Sequence, residues 1–117
     1  MTYTHYVCVK ALFRVQVAGV STGRQLVDEQ HVLFRADSVE DAHRQLAHYA
    51  EQLAKPYLNS DKRWVRWQFD SVIDHYESDL PGAPDFGETG GMEVFSTFKR
   101  RRRQPADYWA GPVSGVV

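Results

Sequence analysis

The sequence predicts an α+β domain in the order ββαββ: a four-stranded antiparallel sheet, spatial order 2-1-3-4, with one helix packed on one face. Three observations predict it. Val7, Val9, Ala11, Phe13, Val15 and Val17 fill successive odd positions, the period of two that marks a half-buried strand. Val39, Ala42, Leu46, Tyr49, Ala50 and Leu53 recur at three- and four-residue steps, the apolar stripe of one helix. A single helix covers only one face of such a sheet, so the other face is left to water, to the chain's own tail or to a partner.

The first strand runs from Tyr3 to Val17, with Lys10, Arg14 and Gln16 between its apolar residues. Residues 18–24, AGVSTGR, form a loop with two glycines. A second strand follows from Gln25 to Arg35, apolar at Leu26, Val32 and Phe34, and pairs with the first as a hairpin. Ser38 is placed to cap the helix, because Asp41 stands three residues on and Glu40 and Asp41 suit the positive end of the helix dipole. Pro56 stops the helix, since the residue before a proline avoids helical geometry.

Residues 57–61 read as a turn and Lys62 to Glu77 as the third strand. Val65, Trp67 and Phe69 alternate with Arg66, Gln68 and Asp70, after which the phase is lost. A bulge near Asp70 and Ser71 explains the change. Trp67 and Phe69 are assigned to the core, Trp64, Arg66 and Gln68 to the open face. Residues 78–91, rich in Gly and Pro, form a loop, and Met92 to Lys99 the fourth strand. The helix returns the chain so that strand three lies beside strand one, and strand four is expected beside strand three. The domain is taken as residues 1–99, with residues 100–117 a basic, loosely ordered tail in which Tyr108 and Trp109 are able to dock back.

At 117 residues the chain is expected to be one domain, and 43% hydrophobic with 25% charged residues is ordinary for a globular protein. A single cysteine, Cys8, leaves no internal disulfide, which fits a reducing compartment. The N-terminus lacks the basic-then-apolar layout of a signal peptide and no apolar run is long enough to span a membrane, so the sequence reads as cytoplasmic and bacterial. Charge is uneven. Residues 1–98 hold nine Lys/Arg against fourteen Asp/Glu, a net −5, whereas residues 99–117 are +4.

Four blocks carry a resemblance: Leu12-Phe13; residues 29–38, EQHVLFRADS, continued by Glu40-Asp41-Ala42; residues 65–69, VRWQF, with Tyr57, Asn59, Val72, Asp74, Tyr76 and Glu77; and Gly91 with residues 93–96, EVFS, and Phe98. In this order they resemble a family of small bacterial proteins known as domain of unknown function 4288, over about residues 5–98. Arg14 departs from that pattern, which has an acidic residue there. The resemblance implies the fold and carries no activity with it.

The chemistry-bearing residues do not assemble a catalytic motif. GxSxG, P-loop, CxxC and HExxH patterns are all missing. His5, His31, His43, His48 and His75 are scattered, and His43 and His48, five apart, point ~140° apart round a helix. Asp28, Glu29, Asp70, Asp74 and Glu77 read as edge and surface charges. The expectation is therefore a non-enzymatic protein with no catalytic residue, cofactor or metal. It acts as a protein-binding module through its open sheet face or edge, with Trp64, Arg66, Gln68, Lys10 and Arg14 as partner-binding residues. An immunity protein neutralising a toxin is one concrete version; a homodimer burying the same face is another. The alternative is a nucleic-acid-binding accessory protein using the run Lys99, Arg100, Arg101, Arg102 and Arg103 against phosphates.

Overall fold

The computed structural model describes residues 3–81 and 90–112, apart from the side chain of Leu80. Strand β1 (Tyr3–Val17) carries the unbroken valine series and lies at the centre of the sheet. Strand β2 (Gln25–Arg35) pairs with it antiparallel, Val9 opposite Val32 and Phe13 opposite Asp28. Helix α1 (Val39–Leu53) follows. Ser38 Oγ accepts the Asp41 N–H at 3.1 Å, the expected cap, and an Asp41 carboxylate oxygen accepts the Asp37 N–H in return. The helix buries Ala42, Leu46, Tyr49 and Ala50, the expected stripe.

Strand β3 (Tyr57–Leu58) lies inside the segment read as a turn and pairs with the start of β4 (Trp64–Pro81). Asn59 closes the connection, its side-chain oxygen accepting the N–H groups of Asp61 and Arg63. β4 runs antiparallel to β1 along nearly its whole length, with two shifts in register. One leaves Asp70 unpaired, as the sequence led us to expect. It moves the inward phase from Trp67 and Phe69 to Val72; the other leaves Ile73 unpaired and moves that phase on to His75, opposite Val9. β5 (Gly91–Arg101) is likewise bulged between its partners for His31 and Val32. Such insertions bend and twist strands, and the five-stranded antiparallel sheet curls into a half-barrel around α1.

The strand order is β3-β4-β1-β2-β5. This corrects the expected order: the last strand lies beside β2, at the opposite edge from the one assigned. Direction could not discriminate, because β5 is antiparallel to either neighbour. Length permits the far edge, since the nine residues between Pro81 and Gly91 can reach ~30 Å against three strand spacings of ~5 Å. Gly91 seats this strand. A Cβ there would lie 2.6 Å from Cε1 of Phe34 and 2.9 Å from Cγ1 of Val32, both core side chains. Only glycine lets β5 approach β2 so closely over Phe34.

The core between α1 and the sheet contains Val7, Val9, Ala11, Phe13, Val32, Phe34, Ala36, Ala42, Leu46, Tyr49 and Ala50, flanked by Trp67, Phe69 and Val72. Phe13 meets Tyr49 and Phe69 edge-on, and Phe34 meets Tyr49 the same way.

The expected loose tail is corrected as far as Pro112. β5 extends to Arg101, Pro105–Asp107 form a 3₁₀ turn, and Asp107 and Trp109 are buried. Residues 113–117 lie outside the described residues. Among the described residues no helix is long and apolar enough to cross a membrane.

Candidate functional site

The sheet face away from α1 divides into two halves. Pairing places Tyr76, Cys8, Leu33 and Met92 in one row across β4, β1, β2 and β5. The next row is Asp74, Lys10, His31 and Phe95, and the next Ser71, Leu12, Glu29 and Thr97. Tyr76 is 49% exposed and Phe95 60%. Lys10 and Lys99 both pair with Glu29, at 3.1 and 3.2 Å. Desolvation raises the Glu29 carboxyl, but the two ammonium groups outweigh it and hold it below its usual range. Burial pushes the Cys8 thiol up, which makes it a poor nucleophile.

The other half of this face is covered by residues 104–109. Gln16 donates to the Asp107 carbonyl at 3.0 Å and accepts from Arg66 Nε at 2.7 Å. Arg14 donates to the Ala106 carbonyl. Arg66 lies over the Trp109 ring, 4.5 Å from its centroid. Burial, and the charge of nearby Arg14, hold the Arg66 pKa below its ordinary value. Asp107 accepts from Arg101 at 3.0 Å and from its own Gln104 N–H at 2.8 Å, while Asp70, the bulge residue, meets Arg14 and Arg101 at 3.5 and 3.6 Å.

The five residues assigned to partner binding all come from this face, but they do not form one open patch. Arg14 and Arg66 are engaged with the C-terminal segment, Trp64 and Gln68 are half-buried, and Lys10 stands in the uncovered half. The basic run is also largely engaged within the chain. Lys99 pairs with Glu29, Arg101 with Asp70 and Asp107, and Arg103 donates to the Gly23 carbonyl and to Gln25. Arg100 and Arg102 are exposed.

On the helix side, sequence reasoning missed a polar cluster. Asp28, expected at the surface, is only 3% exposed, and Gln30 is equally buried. One Asp28 oxygen, Oδ2, accepts the Gln30 amide at 2.8 Å and the Trp67 indole N–H at 3.0 Å. Gln30 in turn accepts the Tyr49 hydroxyl at 2.8 Å. Burial foremost, reinforced by Glu93 and Asp28, pushes the Tyr49 phenol up to about 12. Beside this chain opens a cleft of about 480 Å³, lined by the end of α1, by Tyr57 and Trp67, and by β2 and β5. The signal was present in the sequence: Asp28 and Gln30 occupy the same even positions as Val32 and Phe34, so they had to face inward with them.

Elsewhere, the rings of His43 and His75 meet edge-on at 6.2 Å, but no group of three potential metal ligands occurs among the described residues. The fold and these surfaces define a small α+β domain whose sheet face away from the helix is half covered by residues 104–109 and whose helix side holds a buried polar cluster beside a cleft. The chain belongs to the DUF4288 family, a domain of unknown function, whose model matches residues 6–96. No curated protein and no solved structure matches it.

Proposed function

We propose that the protein is a non-enzymatic binding module whose partner is another protein, seated on the uncovered half of the sheet face away from α1. The observation that carries this reading is the row Tyr76, Cys8, Leu33 and Met92, with Phe95 beside it, held on paired strands with both aromatics about half exposed. Large aromatics on a rigid frame lose little entropy on binding and are the usual anchors of interfaces.

The face is a better docking surface than either edge. The outer strands carry bulges at Asp70, Ile73 and Val94, and Lys99 and Arg100 stand on β5. Bulges and cations both discourage addition of a further strand. The docking residues thus shift from Arg14 and Arg66 to Tyr76, Phe95 and Lys10. An immunity protein that occludes a toxin is the narrower version of the same reading. Nucleic-acid binding ranks second, with Arg100 and Arg102 as the exposed cations of the run.

The test replaces Tyr76 and Phe95 together by arginine and compares affinity capture by the variant and the wild type. A partner held by the wild type, lost by this variant and retained by Arg102→Ala supports the reading. An identical set of captured proteins counts against it. Light scattering that gives twice the monomer mass for the wild type and a monomer for the variant would replace the heterologous partner by a second copy of the chain.

A further inference from the structure

The β1–β2 hairpin does not stay paired to its end. Regular pairing stops at Arg14 and Val27, although β1 runs on to Val17 and β2 starts at Gln25. The Gln25 side chain spans the gap instead, its amide donating to the carbonyls of Val15 at 2.7 Å and Leu26 at 2.8 Å. Its oxygen accepts from Arg103, which also donates to the Gly23 carbonyl at 3.1 Å. The loop of residues 18–24 is tied down at its start: the Ala18 N–H donates to the Trp64 carbonyl and the Gly19 N–H to that of Trp109, both at 2.9 Å. At this splayed end lies a cleft of about 200 Å³, bordered by the loop, both strands and β5.

The lining joins apolar and cationic side chains. Val15, Val17, Val20 and Leu26 supply the apolar part, and Arg24, Arg100 and Arg103 supply three positive charges with no carboxylate beside them in the lining. Arg103 is committed to Gly23 and Gln25. Arg24 and Arg100 are exposed, and among the described residues neither makes a hydrogen bond or an ion pair. Lys99 and Arg101, next to Arg100 on β5, do meet carboxylates, those of Glu29, Asp70 and Asp107. A guanidinium stays charged throughout the physiological range and presents a fork that matches a carboxylate. Two such free forks beside an apolar cleft suit an anion that carries hydrocarbon.

We propose that this cleft binds a carboxylate on a short aliphatic stem, with Arg24 and Arg100 donating to the carboxylate oxygens and the stem lying against Val15, Val17 and Leu26. An alkylammonium is repelled by the three cations, and a neutral alcohol gains only the apolar contact. The volume is under the ~300 Å³ at which drug-sized sites begin, so the stem is a few carbons long. A free short-chain acid and the C-terminus of a peptide that ends in an aliphatic residue offer the same chemistry. The site uses Arg100 without Arg102 and does not depend on the proposed partner surface.

Calorimetric titration of the full chain with sodium hexanoate, n-hexylamine and n-hexanol tests the proposal. Hexanoate is expected to bind saturably at millimolar concentration or below, with no binding of the amine and weaker binding of the alcohol. Acetate should bind at least ~10-fold more weakly than hexanoate, for want of methylenes to bury. Arg24→Gln and Arg100→Gln should each weaken hexanoate ~10-fold or more, the worth of a charge-assisted hydrogen bond. Both positions are exposed and unpaired, so these variants keep the fold. Arg102→Gln, which removes a cation outside the lining, should leave the affinity unchanged. Hexanoate and an N-acetylated peptide ending in leucine then separate the sources by which binds more tightly. Absence of saturable hexanoate binding, equal binding of hexanol, tighter binding of hexyl phosphate than of hexanoate, or an equal loss in all three arginine variants would overturn the assignment.

Discussion

The two faces of the sheet are closed by different physics. Against α1 the covering is apolar: Phe13, Phe34 and Tyr49 pack edge to face over a floor of valines. Against residues 104–109 it is polar: three arginines, two aspartates, Gln16 and one tryptophan ring. Apolar burial is non-directional and scales with area. A buried ionic network is directional, and each member satisfies others, so removal of one leaves its partners stranded. The helix face therefore supplies the stability of the whole domain, and the tail face fixes where one segment lies.

The largest effect should come from the first face. Phe13→Ala removes a wholly buried ring that touches both Tyr49 and Phe69. We expect a loss of about 3–5 kcal/mol in urea unfolding. A loss under about 1 kcal/mol would mean that the helix face is not the main source of stability. Asp107→Ala should rank second. It strips Arg101 of its closest carboxylate and removes the acceptor for the Gln104 N–H, at about 3 kcal/mol for a broken buried pair. Its signature is local: hydrogen exchange should accelerate across residues 104–112 and stay slow in β1. Uniform acceleration through both regions would show that the two coverings are not separable.

The smallest effect lies at the margin of the helix face, where pairing replaces packing. His5 is hydrogen-bonded to Asp79 at 2.8 Å and to Glu77 at 3.1 Å, and these bonds, that to Asp79 foremost, raise its pKa above 6.5. A raised histidine pKa stabilises the fold below the unfolded value, and this contribution is lost as pH rises through the folded value. Between about pH 5.5 and about pH 8, the wild type should lose urea resistance that His5→Gln does not lose. Equal pH dependence in the two proteins would remove His5 from the account.

Several elements were legible because each rests on neighbours in sequence. The alternation of β1, the Ser38 cap, the apolar stripe of α1 and the inward placement of Trp67 and Phe69 all appear as read. Even the bulge at Asp70 left a local trace, since a lost phase shows in the residue pattern. The second bulge, at Ile73, hides in the same stretch because an isoleucine suits either face. Asp28 was misread for the opposite reason. Its charge outweighed its position, although position decides the face of a strand and its partners, Gln30 and Trp67, decide whether burial is tolerable.

By itself the sequence determined four of the five strands, the central place of β1 and the single helix. Those follow from periodicity and capping, which act over a few residues. Only the tertiary structure decided which edge receives β5, how the C-terminal arginines are used and which carboxylate is enclosed. The strand's direction suits both edges, and the choice falls to contacts between residues far apart in the chain, such as Gly91 against Phe34 and Arg101 against Asp70. The basic run Lys99 to Arg103 looked like an outward tail because charge alone gives no direction. Asp70, Asp107, Glu29 and Gln25, brought beside it by the fold, pair with three of its five cations.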